Sequence, residues 1–319
     1  MAGGSPDGYS ISTGSKSNPL IASGPGADVS AHGCRTGWAQ GGVRSEPMSL
    51  PAPRPDRTCL VTGASSGIGE EIAGLLAARG LGVTLVARTE SKLRVLADDL
   101  AARHGVRVEV LATDLVDADA RSALPGRLAD LGLEVNVLVN NAGFSTLGPV
   151  YRSDPDREIA MIRTDVEAVV HLCSLFAPGM AERRSGCILN VASTAAFQPI
   201  PGQAGYGGSK AFVLSYSHAI REELRSQGVT VTALCPGPVE TGFAEAAGID
   251  PSEMAETMPK LFWVAADEVA RTGVEAMDAN RAVAIPGLPN KASAAFGWLS
   301  PRRLLLPLVA RQHPAMRDL

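Results

Sequence analysis

The chain has 319 residues, 45% of them hydrophobic and 19% charged, which is enough apolar material to bury a core. A formal net charge of −4 gives no electrostatic basis for binding nucleic acid. Five scattered cysteines (Cys34, Cys59, Cys173, Cys187 and Cys235) have no C-x-x-C spacing, which fits reduced thiols and neither a disulfide framework nor a metal site. No apolar run approaches the ~18 residues of a membrane-spanning helix, and the N-terminus lacks the compact apolar core of a signal peptide. The expected location is the cytoplasm.

Residues 1–55 are rich in Gly, Ser and Pro without a sustained apolar period, so they are expected to be disordered. Met48 is the only methionine between Met1 and the domain, and it is read as an alternative translation start. From residue 56 to 289 strand-like and helical patterns alternate. Apolar runs at 58–62, 82–87, 106–112, 135–140, 186–192, 229–234 and 281–285 predict seven strands. The first helix carries Ile68, Ile72, Leu75 and Leu76 on one face and is expected to end at Gly80. Further helical patterns run over 90–103, 118–131, 156–184, 205–226 and 266–279. Short apolar strands separated by helices predict an α/β fold: a single Rossmann-type doubly wound domain with a seven-stranded parallel sheet covered on both faces. The tail, 290–319, is apolar and basic. It reads either as a membrane-surface segment or as a C-terminal helix docked on the domain or a partner subunit. Pro301 and Pro307 favour the docked reading because they limit a long amphipathic helix.

Two motifs carry chemistry. Thr62-Gly63-Ala64-Ser65-Ser66-Gly67-Ile68-Gly69 follows the first strand and opens the first helix. Gly63 permits the tight turn, while Gly67 and Gly69 let backbone and helix approach a pyrophosphate, with Ser65 and Ser66 as additional donors. At the end of the second strand stands Arg88 and no acidic residue before Glu90, which favours a 2′-phosphate and hence NADP(H) over NAD(H). Far downstream, Tyr206 and Lys210 lie one helical turn apart, so the ammonium can sit beside the phenol and favour the phenolate. Beside a dinucleotide site, that pair points to hydride transfer coupled to proton transfer.

With these residues in view, the chain resembles the classical short-chain dehydrogenase/reductase (SDR) family over roughly residues 57–287. The likeness rests on the Gly63–Gly69 loop, Asn140-Asn141-Ala142-Gly143, Ser193, Tyr206-x-x-x-Lys210 and Pro236-Gly237. The resemblance implies that Tyr206 is the general acid/base, that Lys210 lowers its pKa and holds the nicotinamide ribose, and that Ser193 hydrogen-bonds the substrate oxygen. It also implies that Ile68, Asp114 (at the adenine), Leu115, Asn140, Ala142 and Gly143 line the cofactor. Pro236, Gly237 and Val239 would pack around the nicotinamide, and Thr241 would hold its carboxamide. One position departs: where many members have an Asn in the helix after Asn-Asn-Ala-Gly, this chain has Asp165. Asp165 is expected to keep a place in the proton relay, to favour the charged ammonium where it lies near Lys210, and to oppose the Tyr206 phenolate, shifting the pH optimum upward.

Substrate contacts are expected from Phe144–Val150, Thr194–Ala204 and Glu240–Phe262, the last as a segment able to close over the ligand. These stretches are largely apolar, so the expected substrate is a small apolar carbonyl or alcohol. The leading function is an NADP(H)-dependent oxidoreductase. The readings set against it are a non-catalytic dinucleotide-binding redox sensor and a lipid-associated scaffold acting through the tail. Family resemblance implies a homodimer or homotetramer through the helices at 156–184 and 205–226, with peripheral membrane contact through the tail as a further expectation.

Overall fold

A computed structural model of the chain describes residues 50–239 and 259–316. Among the described residues, seven strands form one parallel sheet: β1 (Arg57–Thr62), β2 (Val83–Val86), β3 (Val108–Val110), β4 (Glu134–Asn140), β5 (Gly186–Val191), β6 (Val229–Leu234) and β7 (Val283–Ala284). Their order across the sheet is β3-β2-β1-β4-β5-β6-β7. The winding therefore reverses between β1 and β4, and a crevice opens at the carboxyl ends of those two strands.

The sequence produces this sheet because its strands are rich in apolar residues and their Thr and Asn side chains are buried with them, so neither face of the sheet turns to water. β2, β5 and β6 are buried at every residue. Along β1, Cys59 and Val61 point into one core and Leu60 into the other. The first core is closed by α1 (Gly67–Ala77), α2 (Glu90–His104) and α8 (Ala266–Asp278) through Ile72, Leu76, Leu93, Leu100, Val269 and Val274. The second is closed by α4 (Leu124–Asp130), α6 (Ala168–Glu182) and α7 (Ala204–Arg225) through Leu124, Leu128, Leu172, Phe176, Val213 and Ile220.

The helices differ from the sequence expectation in four places. α1 stops at Ala77, and Gly80, with φ +78°, sits in the turn beyond it and donates its amide to the Ala77 carbonyl at 2.8 Å. The helix expected at 118–131 is two, α3 (Ala118–Ser122) and α4, broken at Ala123. Pro125 has no N–H to give, so it fits the first turn of α4 and not the middle of one long helix. The helix expected at 156–184 is α5 (Pro155–Ile162) and α6 joined head to tail by a π-helical turn, Arg163–Glu167. The tail contains two helices, α9 (Leu288–Leu299) and α10 (Arg302–Gln312), with Pro289 in the first turn of α9 and Pro301 as the N-cap of α10. Ala294 and Leu305 from these helices are buried, so both dock on the domain. Order also begins ahead of residue 56: Leu50 packs on the first core, and its amide donates to Asp278 Oδ1 at 2.9 Å.

Candidate active site

The glycine loop leaves β1 at Thr62 and enters α1 at Gly67. It is held from two sides. The Ala64 amide reaches the Val86 carbonyl at the end of β2 (3.4 Å). Asn141 Nδ2 donates to the Thr62 carbonyl (2.9 Å) and the Gly63 carbonyl (3.3 Å). The Thr62 hydroxyl in turn accepts the amides of Asn141 and Ala142 at 2.9 and 3.0 Å. Gly63 and Gly67 have φ of +64° and +59°, a region that only glycine enters without strain. A Cβ on Gly69 would strike the Gly63 carbonyl and the Asn141 amide, so the helix reaches the strand this closely only without a side chain. Ser66, the N-cap of α1, makes no side-chain cap hydrogen bond. The first amides of α1 are thus left without a capping side chain, which fits a phosphate-bearing group at this helix start. Ser65 is half-buried and Ser66 exposed on the same turn. Arg88 follows β2 as an exposed side chain without an ion-pair partner among the described residues.

Across the crevice, Tyr206 and Lys210 share one face of α7, with the ammonium 5.5 Å from the center of the phenol ring. Lys210 is 4% exposed. Its Nζ donates to the Val191 carbonyl at 3.2 Å and lies 2.9 Å from Asp165 Oδ2. Asp165 is fully buried in the π turn, the kind of helix irregularity that recurs at functional positions. Its Oδ1 accepts the Phe144 amide at 3.1 Å. Gly143 makes room for it, since a Cβ there would come within 2.9 Å of Oδ1. The Asn-Asn-Ala-Gly loop, the π turn and α7 therefore meet at one carboxylate.

Ser193, two residues beyond β5, accepts the Ala195 amide at 3.0 Å and donates to the Pro236 carbonyl across a long 3.4 Å. It also hydrogen-bonds the Tyr206 phenol. Burial raises the Tyr206 pKa above the ordinary phenol value; Asp165 adds to the rise, while Lys210 and Ser193 pull against it. Burial alone would lower Lys210, but the charges of Asp165 and Tyr206 outweigh it and the ammonium titrates above its usual value. Burial likewise raises the Asp165 carboxyl against the pull of Lys210. Such a set can hold a proton on Tyr206 at neutral pH and release it to a developing oxyanion beside Ser193.

Other expected residues fall into different surroundings. Asn140 and Asn141 are neighbours on a strand end, so their side chains face opposite ways. The Asn140 carboxamide does not face the crevice: its Nδ2 donates to Asn190 Oδ1 (2.8 Å), and Asn190 continues to Ser217 Oγ (2.9 Å) inside the second core. Asn141, which the sequence reading named only as part of the motif, is the residue that clamps the glycine loop. Asp114 is exposed and accepts the Val116 amide at 3.0 Å, while Leu115 beside it is buried. Arg121, 1% exposed, ties this loop to the π turn by donating to the Leu115 carbonyl and to Glu167. Its length and charge gave no sequence signal of such a role. Pro236 supplies the carbonyl that holds Thr194 (2.8 Å). Gly237 lies against Asn290 of α9 so closely that a Cβ would overlap its carboxamide. Asn290 Nδ2 donates to the Phe262 and Pro286 carbonyls at 3.0 and 3.1 Å. Val239 pairs with Val264 in an isolated parallel bridge. Thr241, Phe243, Met254 and Met258 lie outside the described residues. At the rim, Gln203 bridges Ser145 Oγ (2.8 Å) and His313 Nε2 (3.2 Å), a contact from the tail that no sequence pattern announced.

Comparison with known proteins agrees with this layout. A very-long-chain 3-oxoacyl-CoA reductase of Phaeosphaeria nodorum is 37% identical over 214 residues, covering 65% of this chain and 56% of the relative. The 17-beta-hydroxysteroid dehydrogenase type 3 of Homo sapiens is 34% identical over 188 residues, covering 58% of this chain and 60% of the relative. The chain spans between about half and two thirds of the length of the curated relatives it matches. A short-chain dehydrogenase from Sphingobium yanoikuyae, solved in complex with NADPH, superposes with a TM-score of 0.68 at 32% identity, covering 79% of this chain and 95% of that one. The sequence model described as short chain dehydrogenase matches residues 57–251, and with a seven-stranded Rossmann-type sheet beneath it the chain belongs to that family of oxidoreductases.

Proposed function

We propose that the chain is an NADP(H)-dependent reductase of an apolar ketone of acyl or steroid size, with Tyr206 as its general acid. The observation that carries this reading is the connected group Ser193–Tyr206–Lys210–Asp165 facing an uncapped helix start and glycine turn across one crevice. The loop Gly63–Gly69 would hold the pyrophosphate, with Ser65 and Ser66 as donors, and Arg88 would take the 2′-phosphate. Two of the three Lys210 N–H groups are accounted for by Val191 and Asp165, and the third would go to a ribose hydroxyl. When bound, the nicotinamide supplies the hydride.

The chain's own residues handle the proton. The Tyr206 O–H bond breaks as its proton goes to the carbonyl oxygen of the substrate, whose π pair becomes the new O–H bond. The phenolate left behind is stabilised by the Lys210 ammonium. Ser193 turns its hydroxyl from the long Pro236 contact to the same oxygen and stabilises the charge developing there. Asp165 keeps Lys210 charged and Tyr206 protonated, which suits reduction better than oxidation.

The apolar residues Ala195, Phe197 and Ile200 between Ser193 and Tyr206 support an apolar substrate, as do relatives named for a very-long-chain 3-oxoacyl-CoA and a hydroxysteroid. The NADPH-bound relative supports the cofactor. Self-association would use the outer faces of α5 and α7, where Ile159 and Phe212 are 51% and 42% exposed. The test is NADPH oxidation with a panel of ketones, from water-soluble ones to 3-oxoacyl thioesters and oxosteroids. Tyr206→Phe should lower kcat by roughly 10²–10⁴-fold. Turnover that survives this substitution rules out the mechanism, and NADPH binding without turnover of any ketone favours a redox sensor.

A further inference from the structure

The two C-terminal helices are docked on the domain by one face and leave a second face apolar. On α9, Asn290, Ala294 and Gly297 are buried, while Leu288, Phe296, Trp298 and Leu299 are 78%, 61%, 71% and 82% exposed. On α10, Leu305 is buried, and Leu304 and Leu308 are 68% and 50% exposed. Large apolar side chains gathered this way mark a contact surface.

The charge of the same segment identifies its partner. Residues 288–316 contain Lys291, Arg302, Arg303 and Arg311 and no Asp or Glu, although the whole chain carries −4. Lys291, Arg303 and Arg311 are exposed. A two-fold contact between copies of the chain would bring this cationic face against itself, which like charges oppose. Exposed apolar and Trp side chains ringed by cations suit the interface of an anionic lipid layer.

The face is also joined to the mouth of the site. The Arg302 guanidinium donates to the Phe197 carbonyl at 3.3 Å and the Gly297 carbonyl at 3.1 Å. His313 meets Gln203 at 3.2 Å. Phe197 and Gln203 both lie on the stretch between Ser193 and Tyr206.

We propose that the outer face of α9 and α10 seats the protein on an anionic lipid surface and sets the substrate mouth beside it. This deepens the reading of an apolar, lipid-like substrate, which would reach the site without crossing bulk water. Among the described residues no helix is long and apolar enough to cross a membrane, so the contact is with the surface.

The test is co-sedimentation of the full chain, without substrate or cofactor, with vesicles of phosphatidylcholine alone and of equal parts phosphatidylcholine and phosphatidylglycerol. The chain should pellet with the anionic vesicles only, and added salt should release it. The double variant Arg303→Glu/Arg311→Glu should bind at least about tenfold more weakly while keeping its thermal unfolding midpoint. Trp298→Ser/Leu299→Ser should weaken binding as well. No pelleting with anionic vesicles overturns the proposal, as does unchanged binding by the charge variant. A fall in native mass of the Trp298→Ser/Leu299→Ser chain without lipid also overturns it, by assigning the face to a second copy. Vesicle binding by a chain that reduces no ketone supports this surface and rejects the activity proposed above, so the two failures are separable.

Discussion

Asp165 acts on two groups at once, and the sign of each effect follows from its negative charge. It holds the Lys210 ammonium charged, and it raises the phenol of Tyr206, adding to what burial already does. Reduction needs Tyr206 protonated, so its rate falls as pH rises through the Tyr206 pKa, and a raised pKa carries the active range toward alkaline pH. Asp165→Asn removes the raising charge and should move the falling limb of log kcat/KM to lower pH. A pH–rate profile that superimposes on the parent's would exclude a role for Asp165 in tuning. Arg88 makes a second residue-scale case. It is exposed at the end of β2, where a 2′-phosphate would sit, so Arg88→Ala should raise KM for NADPH at least about tenfold and leave KM for NADH near its parent value. An equal change in both would show that the guanidinium does not read the phosphate. The sequence displayed Asp165 as a departure from its family that favours the Lys210 ammonium when near it; the π turn that brings the two into a direct ion pair at 2.9 Å is what it did not display. It named Asn140 among the residues lining the cofactor and did not single out Asn141 as the clamp of the glycine loop, because strand parity is invisible in two adjacent identical residues.

At the scale of elements, the glycine turn, the β4 loop and α1 form one interlocked unit. The Thr62 hydroxyl and the Asn141 carboxamide each make bonds that hold two segments in place. Gly69→Ala would insert a methyl group between α1 and the Gly63 carbonyl and force the helix start away from the strand. Overpacking of this kind costs about 1–3 kcal/mol, to be read as a lower urea midpoint, with NADPH affinity in a fluorescence titration falling at least about tenfold. Unchanged affinity would mean that the phosphates do not approach α1 here. Strands β1, β4, β5 and β6 lie within a residue or so of their sequence expectations, since short runs rich in Val, Ile, Leu and Thr favour strands. The helices at 118–131 and 156–184 were less legible. Pro125 reads equally as a helix start or as a kink, and a π turn leaves no mark on hydrophobic periodicity.

Over the whole molecule, the sheet order places the glycine loop and the Tyr206 face on opposite walls of one crevice, although most of the domain separates them in sequence. That much followed from alternating β and α patterns and the right-handed crossovers they require. The tail was the least legible part, because Pro301 and Pro307 read as limits to a helix, whereas Pro301 caps the start of α10, where it is tolerated, and Pro307 is accommodated inside that helix. A boundary at residue 290 also divides what the fold joins. Asn290 is wedged against Gly237, the turn expected at the nicotinamide, and pins the carbonyls of Phe262 and Pro286. A chain ending at residue 289 would therefore lose a keystone and not an appendage. It should unfold at lower temperature and lose turnover of a water-soluble ketone even where no membrane is present, as differential scanning calorimetry and an NADPH assay would record. The C-terminus is thus the wrong place to cut and the right place to recolour, one side chain at a time.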